Sequence, residues 1–313
     1  MSIQVFRNIK EAIGNLNPEE IRKHTERPVR LFLYAHTDWD YRQMEDFFAP
    51  PELSEAKRLQ LRHRIYRASE GLSPQAGHDL EFVFEDLPPG HVPQPANVFA
   101  FHPTNPARTV AEVLRRRPDL AIPLAMHVLP FRQEVSRRII KKVARENALF
   151  ALATALPDII PFVSLPWAVG EFASDTAVLT ANQIRMAFLL AAASDRDLGY
   201  REQRNEIATV VLGAFGWRAL ARELVGKIPL GGGLIPKAAI AYAGTRVVGL
   251  SLERFYRLGA AYTREERRLA YEDSLERGKT LASSLLTNLI SRPTQEPGCR
   301  RLVPACSPTH VAR

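Results

Sequence analysis

The chain has 313 residues, 46% of them hydrophobic, with a formal net charge of +8 and a pI near 9.7. That length allows two domains and a sizeable core, and the charge favours an anionic partner: nucleic acid, a phosphate ligand or an anionic membrane surface. The two cysteines, Cys299 and Cys306, with His310 nearby, fall short of the four ligands of a structural zinc site and fit a reducing compartment.

Of the 42 basic residues 34 are Arg, a bias of composition before it is a signature of recognition. The opening MSIQVFRNIKEAIGNLNPEE has no uninterrupted apolar core and reads as an amphipathic helix, not a signal peptide, so the expected location is cytoplasmic or cytoplasm-facing. Phe6, Ile9, Ile13 and Leu16 recur at helical spacing, and Asn17-Pro18 ends that helix and caps the next, PEEIRK.

Four apolar runs with strand composition follow: VRLFLYA (29–35), LEFVFE (80–85), NVFAF (97–101) and AIPLAMHVL (121–129). Helix-like stretches such as ELSEAKRLQLRHRIYRASEG and PARTVAEVLRRRP separate them. This alternation predicts a small α/β domain with a mainly parallel sheet over 28–131, preceded by helices over 1–27.

Ligands of such sheets gather beyond the carboxyl ends of the strands. The first run is followed by His36-Thr37-Asp38-Trp39-Asp40, which has neither the glycines nor the Lys-Ser/Thr of a phosphate-cradling loop. After the second comes Asp86-Leu87-Pro88-Pro89-Gly90, in the outline of an Asp-x-x-Gly switch, and after the fourth His127-Val128-Leu129-Pro130 stands where a guanine-reading Asn-Lys-x-Asp is expected.

RQEVSRRIIKKVARE (132–146) is an amphipathic helix. At 100° per residue Arg137, Arg138, Lys141, Lys142 and Arg145 occupy an arc of roughly 140°, opposite Val135, Ile139, Ile140 and Val143. Such a face suits anionic lipid headgroups, or equally a solvated surface on a packing helix. An apolar block follows to about residue 258. Residues 148–170 carry one charge, Asp158, and are long enough to cross a bilayer, but Pro157, Pro161 and Pro166 interrupt them, which leaves a re-entrant hairpin or a buried helix pair open.

Arg185 interrupts the next apolar segment, and Lys237 and Arg246 the last. In that last segment Ala241, Thr245 and Gly249, and likewise Ala239 and Ala243, repeat at four-residue spacing and predict close helix packing, in lipid or in a soluble bundle. Gly231-Gly232-Gly233 reads as a turn, and Trp167 and Trp217 suit an interfacial belt or a core. The helical domain is expected to span 132–290, ending in a long helix from Thr263 with i,i+4 charge pairs, and 291–313 reads as a disordered tail.

NPEEIRKHTERPVRLFLYA resembles the lead into the first strand of bacterial Era-like GTPases that carry a C-terminal hydrophobic domain. ARENALFALATALPDIIPF, ANQIRMAFLLAA, GWRALARELVGKIPLGG and KAAIAYAGTRVVG resemble that domain itself, the YcjF-like type of unknown function. With the phosphate loop and the guanine motif missing, the resemblance implies a degenerate GTPase-like α/β domain without a working GTP site, followed by an all-α hydrophobic domain.

The expected function is therefore that of a non-catalytic, membrane-associated interaction protein on the cytoplasmic face of the membrane, peripheral or partly inserted. It needs no cofactor, and its partners are the lipid surface and a protein such as a GTPase. The alternative is a divergent nucleotide-binding or phosphate-processing enzyme, with Asp38 and Asp40 on a divalent metal and Thr104 as a phosphate contact. Nucleic acid ranks last, because aromatic residues are not interleaved with the basic clusters.

Overall fold

In a computed structural model of the chain the described residues are 16–67, 80–85, 97–154, 175–210 and 233–290. The helix expected over 3–16, all but Leu16, the Asp86 to Gly90 motif, the proline-interrupted stretch from 155, Trp167, Trp217, Gly231-Gly232 and the tail with Cys299, Cys306 and His310 lie outside them.

Helix α1 (Pro18–Thr25) starts as its sequence dictates, with the Asn17 side chain accepting from the Glu19 N–H at 3.0 Å and Pro18 in the first turn. Strand β1 (Leu31–Tyr34) leads to α2 (Asp38–Phe48), then α3 (Glu55–Arg62), β2 (Ile65–Arg67), β3 (Leu80–Phe84), β4 (Val98–Phe101) and α4 (Pro106–Arg116). The four strands form one all-parallel sheet in the order β2-β1-β3-β4, with Leu31 opposite both Ile65 and Leu80, and Glu81 opposite Val98. Inward-facing Leu31, Leu33, Phe82, Phe99 and Phe101 are buried, and Phe48 of α2 packs on Phe82 with ring centroids 4.5 Å apart.

Two expectations need correction. The run AIPLAMHVL is not a strand: Ala121–His127 is a helix, α5, entered through a 3-10 turn at Pro118–Leu120. A short apolar run fits a buried strand or a buried helix equally, and here Pro123 falls in the first turn, where its missing N–H costs nothing. Arg132 then satisfies the last carbonyls of α5, donating to Ala125 O and Met126 O at 3.1 Å each. Conversely, the helix-like stretch 52–71 contains β2, a three-residue edge strand with only Ile65 buried, too short to show a period of two.

The helical part comprises α6 (Leu129–Ala153), α7 (Asp175–Ala193), a helical segment at 204–210, α8 (Leu234–Leu258) and α9 (Arg264–Ile290). Gly259 ends α8 with φ 76°, a left-handed conformation that glycine adopts without strain. Thr263 and Glu266 start α9 as a reciprocal capping box, at 2.8 and 3.3 Å. One buried core runs without a break from Leu31 and Phe82 through Leu124, Phe131 and Val135 to Ile184, Phe188 and Leu252. The mixed α/β and helical architecture thus holds, with α6 as the element that belongs to both parts.

Candidate functional site

The interior of the bundle accounts for the small-residue pattern. Gly249 sits where a Cβ would lie 2.8 Å from Ile140 Cγ1 and 3.0 Å from Met186 Sδ, so α8 meets α6 and α7 at that point. Thr245, one turn earlier, is buried and accepts from Asn147 Nδ2 at 2.7 Å and from Gln183 Nε2 at 3.2 Å. Asn182 donates to Asn147 Oδ1 at 2.6 Å, which completes a polar network across three helices. Ala241 is half-buried, whereas Ala239 and Ala243 are fully buried. A contact of the same kind joins α9 to α8, since a Cβ on Gly278 would stand 2.8 Å from Ala239 O.

The charges that interrupt the apolar segments are each partnered across helices. Arg185 pairs with Glu146, Lys237 donates to Thr154 Oγ1 at 3.1 Å, and Arg246 donates to Asp273 at 2.9 Å and to Ser274 Oγ at 2.6 Å. Thr176–Ala193 is long and apolar enough to cross a membrane, yet 72% of it is buried within the protein.

At the carboxyl end of the sheet, Asp38 and Asp40 lie in the first turn of α2, not in a loop. Asp40 forms a hydrogen-bonded cap with Thr37, whose hydroxyl donates to Asp40 Oδ2 at 2.6 Å and accepts from the Asp40 N–H at 3.1 Å. Asp38 pairs with Arg67, at the end of β2, at 2.6 Å. Both complement the positive end of the helix dipole. Thr104 is exposed, and the threonine that organises this edge is the buried Thr109, which accepts from the His102 N–H at 3.0 Å. Glu85 and His102, which follow β3 and β4 and were not singled out from sequence, stand 2.7 Å apart. Among the described residues no group of three or more His, Cys, Asp or Glu gathers to hold a metal ion.

The outer side of α6 is different. Val135, Ile139, Ile140 and Val143 are buried, while Arg137, Lys141, Lys142 and Arg145 are exposed and Arg138 is half-buried, donating to Glu134 and to Ala111 O. Arg137 and Lys141 do not form an isolated stripe. They line a groove of about 380 Å³ together with Arg246 and Arg257 of α8 and Arg277 of α9. Tyr242, Ile140 and Leu250 form its apolar floor.

Five cations in the groove face the carboxylates Glu134, Glu253 and Asp273, leaving a net charge of two positive. Arg137 grips Glu134 through two contacts of 2.7 Å, and these hydrogen bonds hold the Glu134 carboxyl below its usual range. Asp273 is also held low: burial, the largest single influence, pushes it up, but the hydrogen bonds and charges of Arg277 and Arg246 together outweigh that. Lys141 has no hydrogen-bond or ion-pair partner among the described residues. Three helices far apart in sequence build this surface, so only its α6 share was visible from periodicity.

By fold and surface this is a mixed α/β and helical protein with a cationic groove on its helical side. No protein-family model matches the chain, and neither a curated protein nor a solved structure does.

Proposed function

We propose that the protein is a non-catalytic interaction protein that docks peripherally on an anionic membrane surface through the outer face of α6 and the adjoining groove. The observation that carries this reading is the continuation of the α6 basic face into one groove by Arg246, Arg257 and Arg277. A surface of net positive charge with an apolar floor suits phosphate headgroups, and each Lys or Arg held close to an anionic bilayer contributes about 1 kcal/mol. Among the described residues the apolar helices α7 and α8 are read as core, since Arg185 and Arg246 are partnered and α7 is largely covered by protein.

Nucleic acid is disfavoured by the same geometry. The ring in the groove, Tyr242, is buried; among the described residues the exposed rings Trp39, Tyr66 and Tyr200 belong to other parts of the chain, and the exposed Phe255 of α8 does not line the groove, so no stacking platform lines it. The reading of the sheet as a degenerate GTPase-like domain, and of a GTPase as partner, belongs to this proposal. What supports it is the all-parallel sheet joined to an apolar helical part, with Asp38 and Asp40 engaged in capping and ion pairing.

Flotation of the full chain with vesicles tests the proposal. It predicts co-flotation with phosphatidylserine-containing vesicles at low salt, release at high salt, and no binding to phosphatidylcholine alone. Binding indifferent to lipid charge, or no binding to either vesicle, would refute it.

A further inference from the structure

A second cavity, of about 630 Å³, opens at the opposite, amino-terminal end of the sheet, where the α/β part meets the helical part. Arg30 enters β1, and His63, Arg64 and Tyr66 come from the turn before β2 and from β2 itself. Lys57 comes from α3, His127 ends α5, and Asp195 follows α7. Volume and placement are those of a small-molecule site, since such pockets favour domain junctions and occupy roughly 300–1,000 Å³.

The lining is cationic. Arg30, Arg64 and Lys57 face a single lining carboxylate, Asp195, and Lys57 already pairs with it. The half-buried Arg64 guanidinium has no hydrogen-bond or ion-pair partner among the described residues, and a partly desolvated charge left unpaired is costly until an anion meets it. His127 adds a polar group without adding charge: burial first, then the neighbouring Arg64, push its pKa down to about 4, so at neutral pH it is an uncharged imidazole.

Asp195 is a further sign. It occupies the position after the end of α7 with φ 58°, while Arg196 N donates to Ala191 O and Asp195 N to Ala192 O at 3.0 and 3.1 Å. That hydrogen-bond pattern is the helix-ending motif in which glycine is preferred. An aspartate there gives up some backbone ease and in return spans the cavity to Lys57. On the remaining wall Leu61, Pro28 and the Tyr66 ring, itself stacked on Phe32 at 5.1 Å, offer apolar surface.

We propose that this cavity binds a small phosphorylated organic molecule, with the phosphate forked by Arg64 and Arg30 and the organic body against Tyr66 and Leu61. Guanidinium groups match phosphate oxygens in pairs, which favours phosphate over a single carboxylate. The site is separate from the groove on α6 and stands whether or not that groove meets a membrane.

Calorimetric titration of the full chain with inorganic pyrophosphate, and with citrate as a control of similar charge, tests this. Saturable pyrophosphate binding is expected, weakened roughly tenfold or more in Arg64→Gln and in Arg30→Gln and unchanged in Lys23→Gln, an exposed position of α1 outside both the cavity and the groove. Ligand-free melting of each variant separates lost binding from lost fold, and two variants keep the test open if one fails to fold. Absent pyrophosphate binding, equal affinity for citrate, wild-type affinity in both cavity variants, or an equal loss in Lys23→Gln would each overturn the assignment.

Discussion

The two sides of α6 use the same helix for opposite purposes. The inner side is closely packed: Ile140 meets the backbone of Gly249, and Asn147 ties α7 and α8 together through Asn182 and Thr245. The outer side carries charge in excess of what its partners neutralise and leaves Lys141 in water. Substitutions inside should therefore unfold the protein, whereas substitutions outside should spare the fold and alter only what binds.

The strongest way to break that contrast is Gly249→Leu. With the first added carbon already 2.8 Å from Ile140, the whole side chain must displace two helices, and denaturant unfolding should show a loss of about 3 kcal/mol or more. Wild-type stability in this variant would mean that α8 does not approach α6 as described.

Asn147→Leu ranks next. It strands the Asn182 amide and leaves the Thr245 hydroxyl with one donor fewer in an apolar interior, for an expected loss of about 2 kcal/mol in the same assay. A stabilised variant would show the network to be dispensable for the fold.

A smaller effect depends on pH. His127 has a folded pKa of about 4, below its ordinary 6.5, so between these values the unfolded chain binds more protons than the folded one. The stability contributed by keeping this imidazole neutral is complete above pH 6.5, declines as pH falls toward 4, and changes no further below. Thermal melts of His127→Gln across pH 4–7 should show a shallower decline than wild type. Parallel curves would remove His127 as the cause.

How much of this was legible in the sequence follows from the range of the signals. Local ones served well: Asn17-Pro18 capped α1, the four-residue spacing ending at Gly249 marked a close packing line, and Thr263 opened α9 as a charged helix. Periodicity also separated Val135, Ile139 and Val143 from the basic residues of α6.

Signals that depend on distant partners were not legible. Residues 121–127 had a composition that suits strand or helix, and the choice was made by their surroundings. Ile65 to Arg67 became a strand only because β1 lies beside it. Asn147, Asn182 and Gln183 look like neutral helix residues until three helices converge on Thr245. Arg246, Arg257 and Arg277 joined Arg137 and Lys141 only through tertiary packing, and the cavity around Arg64 draws on segments from Pro28 to Asp195.

The most direct test of the central claim reverses the outer charges and leaves the inner side alone. In Arg137→Glu/Lys141→Glu the change in stability should stay within about 1 kcal/mol, because both residues are exposed and the lost Arg137–Glu134 pair is screened by solvent, while affinity for phosphatidylserine vesicles should fall roughly a hundredfold or more. That result would establish the outer face of α6 as the docking surface. Undiminished vesicle binding by the folded variant would contradict the account.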